Sequence, residues 1–359
     1  MAVKGLLMKK LLFTLVAVAL MGLLATSAAA NHKCGHKSKA CPPTEETPPD
    51  PTPPDPAPPS NGGVALGVWN SSVPWSLTGL NTFVAAAGKK PAYVSWHQSF
   101  GPSGEAGFPT AASQELNSQG YGQVVTWNPG DYNYGADQPT YSHDAIIRGD
   151  HDAYMKQYLT DIKNLGFPVK LRFAHEMNGD WFSWGDHGMN GNTPTKYKQM
   201  FQKVANMRSE VGATNIDMVW CPNISATASP KNPMSAFYPG DSYVDWICLD
   251  GYNFAEIHGG PSRTFASLFQ SSYDEITAIT DKPLMIDEYA SHETTQGPIK
   301  AQFIDGVRTD VPAKYPRIKA MSWFNCNCSD GNFQIQASES ATDAYRRLAA
   351  DPYFGESLP

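Results

Sequence analysis

The sequence predicts an α/β fold, a (β/α)8 TIM barrel built as a single domain. Three observations predict it. From Val64 onward, short apolar, β-branched segments alternate with stretches of helical pattern, the order expected of parallel βα units. Eight strand candidates fall within roughly 290 residues, against about 250 for a typical closed barrel. The rival is a doubly wound open sheet, but the glycine-rich phosphate loop that often accompanies it is missing after the first strand.

The strands, taken in order, end on residues that matter later. VALGVW (64–69) ends on Trp69, AYVSWH (92–97) on Trp96 and His97, and GQVVTW (122–127) on Trp127. VKLRFA (169–174) runs into His175 and Glu176, and IDMVWC (216–221) into Pro222 and Asn223. DWICL (245–249) is followed by Asp250, PLMID (283–287) by Glu288, and IKAMSWF (318–324) closes on Trp323, Phe324 and Asn325. Helical stretches are read at 151–165, 195–211, 265–279, 298–309 and 338–349. In this fold an active site lies at the C-terminal ends of the strands. Tryptophans there, interleaved with carboxylates, point to a sugar-binding groove.

Composition sets the outer limits. With 41% hydrophobic and 17% charged residues, the chain fits a soluble globular protein. A net charge of -7 disfavours nucleic acid, whose binding is driven by counterion release onto a basic face. Nine Trp and sixteen Tyr suit either a large aromatic core or stacking on pyranose rings.

Residues 1–30 read as an export signal: Lys9 and Lys10, an apolar run from Leu11 to Leu24, and the small residues Ala28 to Ala30. Met8, which opens MKKLL, is an alternative start. The run is too short for a comfortable spanning helix and no second one follows, so no membrane insertion is expected after cleavage. The expected location is therefore outside the cytoplasm, as a secreted protein. Residues 31–41 form a short segment carrying His32, Cys34, His36 and Cys41. A Cys34–Cys41 disulfide or no link at all is preferred there to a metal cluster, because the tail has no folded scaffold. Residues 42–60 are a stiff proline-threonine-acid linker, and 61–359 form the barrel domain. The connectivity of Cys221, Cys248, Cys326 and Cys328 cannot be read from the sequence.

The chemistry centres on LRFAHEMNGDWFSWG (171–185). A zinc-protease reading needs H-E-x-x-H, and Gly179 stands at the second histidine's place, so that reading fails. No G-x-S-x-G follows a strand, which removes a serine hydrolase of the α/β type. Instead Glu176 pairs with Glu288 in KPLMIDEYAS (282–291), each just past a strand end. Retaining glycoside hydrolysis uses two carboxyl groups about 5–5.5 Å apart, one an acid/base and one a nucleophile. Glutamates after the fourth and seventh strands face each other across a barrel mouth. Strand alternation puts Arg172, Ala174 and Glu176 on one side, inside the barrel. A buried Arg must be paired, so Arg172 is expected beside Glu288, keeping it ionised. Glu176, among Trp and His, is expected to hold a raised pKa. The pair requires no metal and no organic cofactor.

The segments HEMNGDWFSWG (175–185), VWCPN (219–223), DWICLDGYN (245–253), IDEYAS (286–291) and MSWFN (321–325) resemble glycoside hydrolase family 26. This is a clan A barrel family of mostly endo-β-mannanases, with β-1,3-1,4-glucanases and β-1,3-xylanases. The resemblance runs from about Gly62 to Phe354, and His175 before Glu176 matches a family in which His replaces the Asn usual in the clan. It implies Glu176 as acid/base, Glu288 as nucleophile, Tyr252 as a hydrogen-bond partner of the nucleophile and Asp250 as an orienting residue. His175 and Trp181 would contact sugar, and Trp323 would be the platform under the reacting ring. Trp184, Trp96, His97, Trp127 and Asn223 complete the expected sugar-binding set. The implied substrate is β-1,4-mannan, then mixed-linkage β-glucan, then β-1,3-xylan, cut by a monomer acting within the polymer. A barrel that only binds polysaccharide is the alternative of another class, and the presence of both glutamates opposes it.

Overall fold

The computed structural model describes residues 63–101, 106–186, 189–224, 231–254, 257, 261–295 and 297–359. The expected leader, the Cys/His segment with the expected Cys34–Cys41 disulfide or absence of one, and the linker lie outside these residues. Eight parallel strands close into one barrel in sequence order: β1 (Ala65–Trp69), β2 (Tyr93–Ser99), β3 (Gly122–Asn128), β4 (Val169–Phe173), β5 (Ile216–Trp220), β6 (Trp246–Asn253), β7 (Leu284–Ser291) and β8 (Ile318–Phe324). β8 pairs back onto β1, with Gly67 opposite Ser322 and Trp69 opposite Phe324. The expected (β/α)8 architecture is the observed one.

The helices are α1 (Thr78–Ala87), α2 (Thr110–Ser118), α3 (His143–Arg148), α4 (Asp152–Leu165), α5 (Pro194–Glu210), α6 (Phe265–Ile279), α7 (Ile299–Lys314) and α8 (Glu339–Ala350). Five of them coincide with the sequence reading, while α1, α2 and α3 were not read as helices. Local chemistry explains the ends. Thr193, Thr264 and Ser338 accept a bond from the backbone N–H three residues on, satisfying one donor that each helix start leaves open. Pro194 sits at the first helical position of α5, where a missing N–H costs nothing. At the other end of α4, Gly166 takes φ 75° to close the last turn, a conformation a side chain disfavours.

Strand residues alternate between two cores. Outward residues such as Val94, Trp96, Val125, Trp127, Leu171, Phe173, Trp220 and Trp323 join the layer between strands and helices. Inward residues form a smaller plug of Ala65, Tyr93, Val124, Val219, Trp246, Met285 and Ala320. Gly67 is required in that plug: a Cβ on it would lie 2.4 Å from the ring of Tyr93. Cys221 and Cys248, on neighbouring strand lines, form one disulfide, and Cys326 and Cys328 form another along the first strand of the hairpin β9 (Asn327–Cys328) and β10 (Gly331–Asn332).

One irregularity positions chemistry. Along β6 and β7 the register steps from Leu249 opposite Ile286 to Asp250 opposite Glu288, leaving Asp287 as an extra residue. Such a bulge breaks strict alternation. Asp287 and Glu288 therefore both serve the barrel interior, where each contacts Arg172.

Candidate active site

The site is built from the ends of β2, β4, β6 and β7. At the end of β4 regular alternation stops, because Ala174 (φ 48°) and Glu176 (φ 52°) both adopt the left-handed conformation. This corrects the expectation that plain alternation carries Glu176 to the mouth. Side chains there cost free energy, of order 1–3 kcal/mol each, and surrounding bonds must hold them. They do so here. Ala174 N–H donates to the Trp127 carbonyl at 3.0 Å and Glu176 N–H to the Cys221 carbonyl at 2.6 Å. The Tyr197 hydroxyl reaches the Ala174 carbonyl at 3.2 Å, and the Trp184 indole reaches the His175 carbonyl at 2.6 Å.

The carboxyl of Glu176 is nearly enclosed, with 6% of the residue exposed. Asn223 Nδ2 donates to its Oε1 at 2.6 Å and Trp181 Nε1 to its Oε2 at 2.7 Å. Burial, and after it the nearby charge of Glu288, pushes the Glu176 pKa up to about 7 against the pull of those two bonds. A carboxyl so placed holds a proton near neutral pH.

Glu288 has the opposite surroundings. Its Oε1 lies 2.5 Å from Arg172 Nη2, 2.9 Å from His97 Nε2 and 3.8 Å from His175 Nε2, and the Tyr252 hydroxyl donates to its Oε2. Burial alone would raise its pKa. Arg172, then His97, overcome this and hold it well below the usual carboxylate range. Burial keeps both His97 and His175 below their ordinary pKa, so neither carries a charge near neutral pH. His175 Nδ1 donates to Asn128 Oδ1 at 3.0 Å, leaving Nε2 as an acceptor turned toward the mouth.

Arg172 is the hub. It is wholly buried, and besides Glu288 it touches Asp250 at 2.6 Å, Asp287 at 3.2 Å and Thr126 at 2.7 Å. One guanidinium cannot neutralise three carboxylates in a dry interior. Burial lifts Asp250 well above its ordinary range and Asp287 to about 7, so the single positive charge is matched to Glu288.

Among the described residues three groups of ligand-type atoms converge within 4.8 Å: His97, His175 and Glu288; His175, Glu176 and Asp250; and Cys221, Cys248 and Asp250. The first includes His97 Nε2, only 3.0 Å from the Arg172 guanidinium, which would repel a cation. The donor chemistry suits a guanidinium, and Cys221 and Cys248 spend their thiols on each other.

The aromatic residues sort differently from the sequence reading. Trp181, 38% exposed, stands at the mouth beside Glu176. Trp96 and Trp127 point outward and are buried, Trp96 edge-on to Trp75 and Trp127 stacked on Tyr158 at 4.3 Å. Trp184 is buried under the loop and stacked on Phe182, supporting His175 from behind. Trp323, expected as the sugar platform, is also wholly buried; its indole donates to the Phe333 carbonyl at 2.9 Å and it packs against Tyr289 and Tyr345. The reason is parity: Ser322 pairs with Gly67 and Phe324 with Trp69, so Trp323 belongs to the outer layer. The residues at the rim are Trp69 and Phe324, stacked at 4.0 Å, with Trp69 5.6 Å from His97 and Phe324 edge-on to Tyr252 at 5.4 Å. His97 and Asn223, expected at the sugar, bond the two glutamates themselves. Phe324, Asn128 and Asp287 were not expected in the site; Phe324 enters it through the β1–β8 register, which sets it opposite Trp69.

The chain is similar to known proteins in sequence and in fold. Endoglucanase H of Acetivibrio thermocellus is 30% identical over 289 residues, covering 80% of this chain and 30% of that protein. A mannan endo-1,4-beta-mannosidase of Bacillus subtilis is 32% identical over 158 residues, 43% of this chain and 39% of that one. The chain thus spans well under half the length of these relatives. Among solved structures, a modular endo-β-1,4-mannanase from Cellulomonas fimi superposes with a TM-score of 0.61 at 18% identity, covering 82% of this chain and 74% of that one. A β-mannanase from Bacteroides ovatus does so with a TM-score of 0.58 at 16% identity, covering 81% and 89%. At such identities the likeness concerns the fold. The profile of Glycosyl hydrolase family 26 matches residues 94–338, and the chain belongs to that family.

Proposed function

We propose that the chain is a retaining endo-glycoside hydrolase that cuts β-1,4-mannan, with Glu176 as acid/base and Glu288 as nucleophile. The observation that carries this reading is the contrast between the two carboxyls. One mouth holds a glutamate kept protonated by burial and another kept ionised by a buried arginine. Glu288 attacks the anomeric carbon while Glu176 gives its proton to the departing sugar oxygen. The resulting ester joins the sugar to Glu288, and Glu176, now a carboxylate, takes a proton from the water that hydrolyses it. Trp181 and Asn223 orient Glu176, while Arg172, His97 and Tyr252 orient Glu288 and stabilise its charge when it departs. The leader supports an exported enzyme, and no helix among the described residues is long and apolar enough to cross a membrane.

Mannan is supported by the curated mannosidases among the relatives. Mixed-linkage β-glucan is the second reading, favoured by one observation. The match to Endoglucanase H runs through 80% of the chain, whereas the mannosidases align over 43% to 47% of it. A reducing-end assay on galactomannan, glucomannan, barley β-glucan, laminarin and β-1,3-xylan separates these readings, with Glu288→Ala as control. Release from a mannan, lost in the variant, is the expected result. Release from β-glucan alone replaces the substrate, and equal activity in the variant removes the assigned nucleophile. Retention of a polymer without cleavage identifies a binding-only barrel.

A further inference from the structure

The loop after β3 carries a tyrosine that none of the chemistry above uses. Tyr132 is 53% exposed, yet its hydroxyl end is anchored inside the site, where Asn128 Nδ2 donates to it. Asn128 in turn accepts from His175, whose Nε2 faces Glu288 at 3.8 Å. The hydroxyl also lies within the fields of Glu288 and Arg172. Its neighbour Tyr134 is 69% exposed.

The loop beneath Tyr132 is stapled. Gln138 Nε2 donates to the carbonyls of Asp131 at 3.1 Å and Gly135 at 2.7 Å, and its Oε1 accepts from Asp131 N–H at 2.8 Å. Asp131 Oδ1 accepts from Asn133 N–H at 2.9 Å. Two bonds tie the loop to the segment following β4, Ser183 Oγ to the Pro129 carbonyl at 3.3 Å and Asn190 Nδ2 to the Ala136 carbonyl at 2.9 Å. A ring held at its polar end with its face open offers apolar area at little further entropic cost. A pyranose presents a matching face of C–H groups, while Trp181 already occupies the Glu176 end of the mouth.

We propose that Tyr132 is a sugar-positioning residue that stacks on a pyranose of the polysaccharide beside the point of cleavage, on the Glu288 side of the cleft. The assignment rests on the reading of the barrel as a β-glycan hydrolase and adds to it the residue that registers the chain over the nucleophile. Tyr132→Ala and Tyr132→Phe in the full chain test it on the polymer that the wild type cleaves. Loss of one stacking ring in Tyr132→Ala raises KM about tenfold with kcat within about threefold, and changes the ladder of products. Tyr132→Phe keeps the ring and stays within about threefold of wild type in KM. An unchanged KM and ladder in Tyr132→Ala overturns the proposal. A fall in Tyr132→Phe as deep as in Tyr132→Ala overturns it too, because the hydroxyl rather than the ring would then matter. A readout free of turnover is retardation in gels containing each polymer, on the Glu288→Ala background. There Tyr132→Ala should abolish most of the retardation, and retardation equal to the parent's overturns the proposal. If Glu288→Ala cleaves like the wild type, the catalytic assignment falls while the retardation still decides the role of Tyr132. A wild type that neither cleaves nor is retarded by any polymer overturns both.

Discussion

Replacing Arg172 by Met should uncouple stability from the rest of the site in a pH-dependent way whose size follows from the structure. In the wild type Glu288 is ionised inside the barrel because Arg172 sits 2.5 Å away. Without the guanidinium, burial acts alone, and the buried carboxyl relieves the penalty by taking up a proton. Holding protonated at pH 7 a carboxyl whose ordinary pKa is 4.5 costs about 3.4 kcal/mol, at about 1.36 kcal/mol per pH unit. The sign follows from the two shifts. In the wild type the lowered pKa of Glu288 contributes stability that is present above pH 4.5 and is lost as pH falls through the folded value. In Arg172→Met the pKa is raised, so its cost is absent below 4.5 and grows above it. Asp250 and Asp287 are already lifted by burial, Asp287 to about 7, and so add little to the slope below pH 7. The gap in unfolding free energy between wild type and variant should widen by about 1.4 kcal/mol per pH unit from pH 5 to 7. Lost bonds to Thr126 and Asp250 add an offset that does not depend on pH in this window. Urea unfolding at pH 5, 6 and 7 measures the slope. A gap that stays constant across these pH values would refute the assignment of Arg172 as the group that keeps Glu288 ionised.

Further outcomes follow from the other contacts of the site and its rim. The alkaline limb of kcat/KM should fall near pH 7, where Glu176 loses its proton. Asn223→Ala should move it upward, because the Asn223 bond favours the ionised form; a pH profile whose limb stays in place or moves down contradicts this. Trp323→Ala should remove a buried core side chain and cost about 3–5 kcal/mol of stability. Trp69→Ala, at the rim, should leave the melting temperature almost unchanged while raising KM. Thermal unfolding and steady-state kinetics on the two variants, read side by side, separate packing from sugar contact. A stable Trp323→Ala with a raised KM would restore Trp323 as a platform.

Much of the site was legible because period-2 alternation and strand ends are local properties. Glu176 and Glu288 stand just past apolar runs, and Arg172 lies within one on the face that strand alternation shares with Glu176, which required a buried partner. The failures lie where facing is decided by pairing partners far away in the chain. Whether Trp323 or Phe324 turns inward depends on Gly67 and Trp69, some 250 residues upstream in rough count, through the β1–β8 register. α1 and α2 carry no acidic first turn and no side-chain cap, so the usual start signals are weak there, while α3 has its Ser142 cap and Asp144 but is only six residues long, too short for a periodic pattern. The two acids themselves reach their places through departures from regularity. Left-handed Ala174 and Glu176 turn one carboxyl toward the Asn223 and Trp181 donors, and the extra residue Asp287 lets the other meet Arg172. A chain obeying alternation throughout would send Asp287 and Glu288 to opposite faces and expose one of them to the helix layer. Local rules are therefore broken at the two positions where the proposed chemistry needs carboxyls to converge, and the buried arginine is what makes that convergence tolerable.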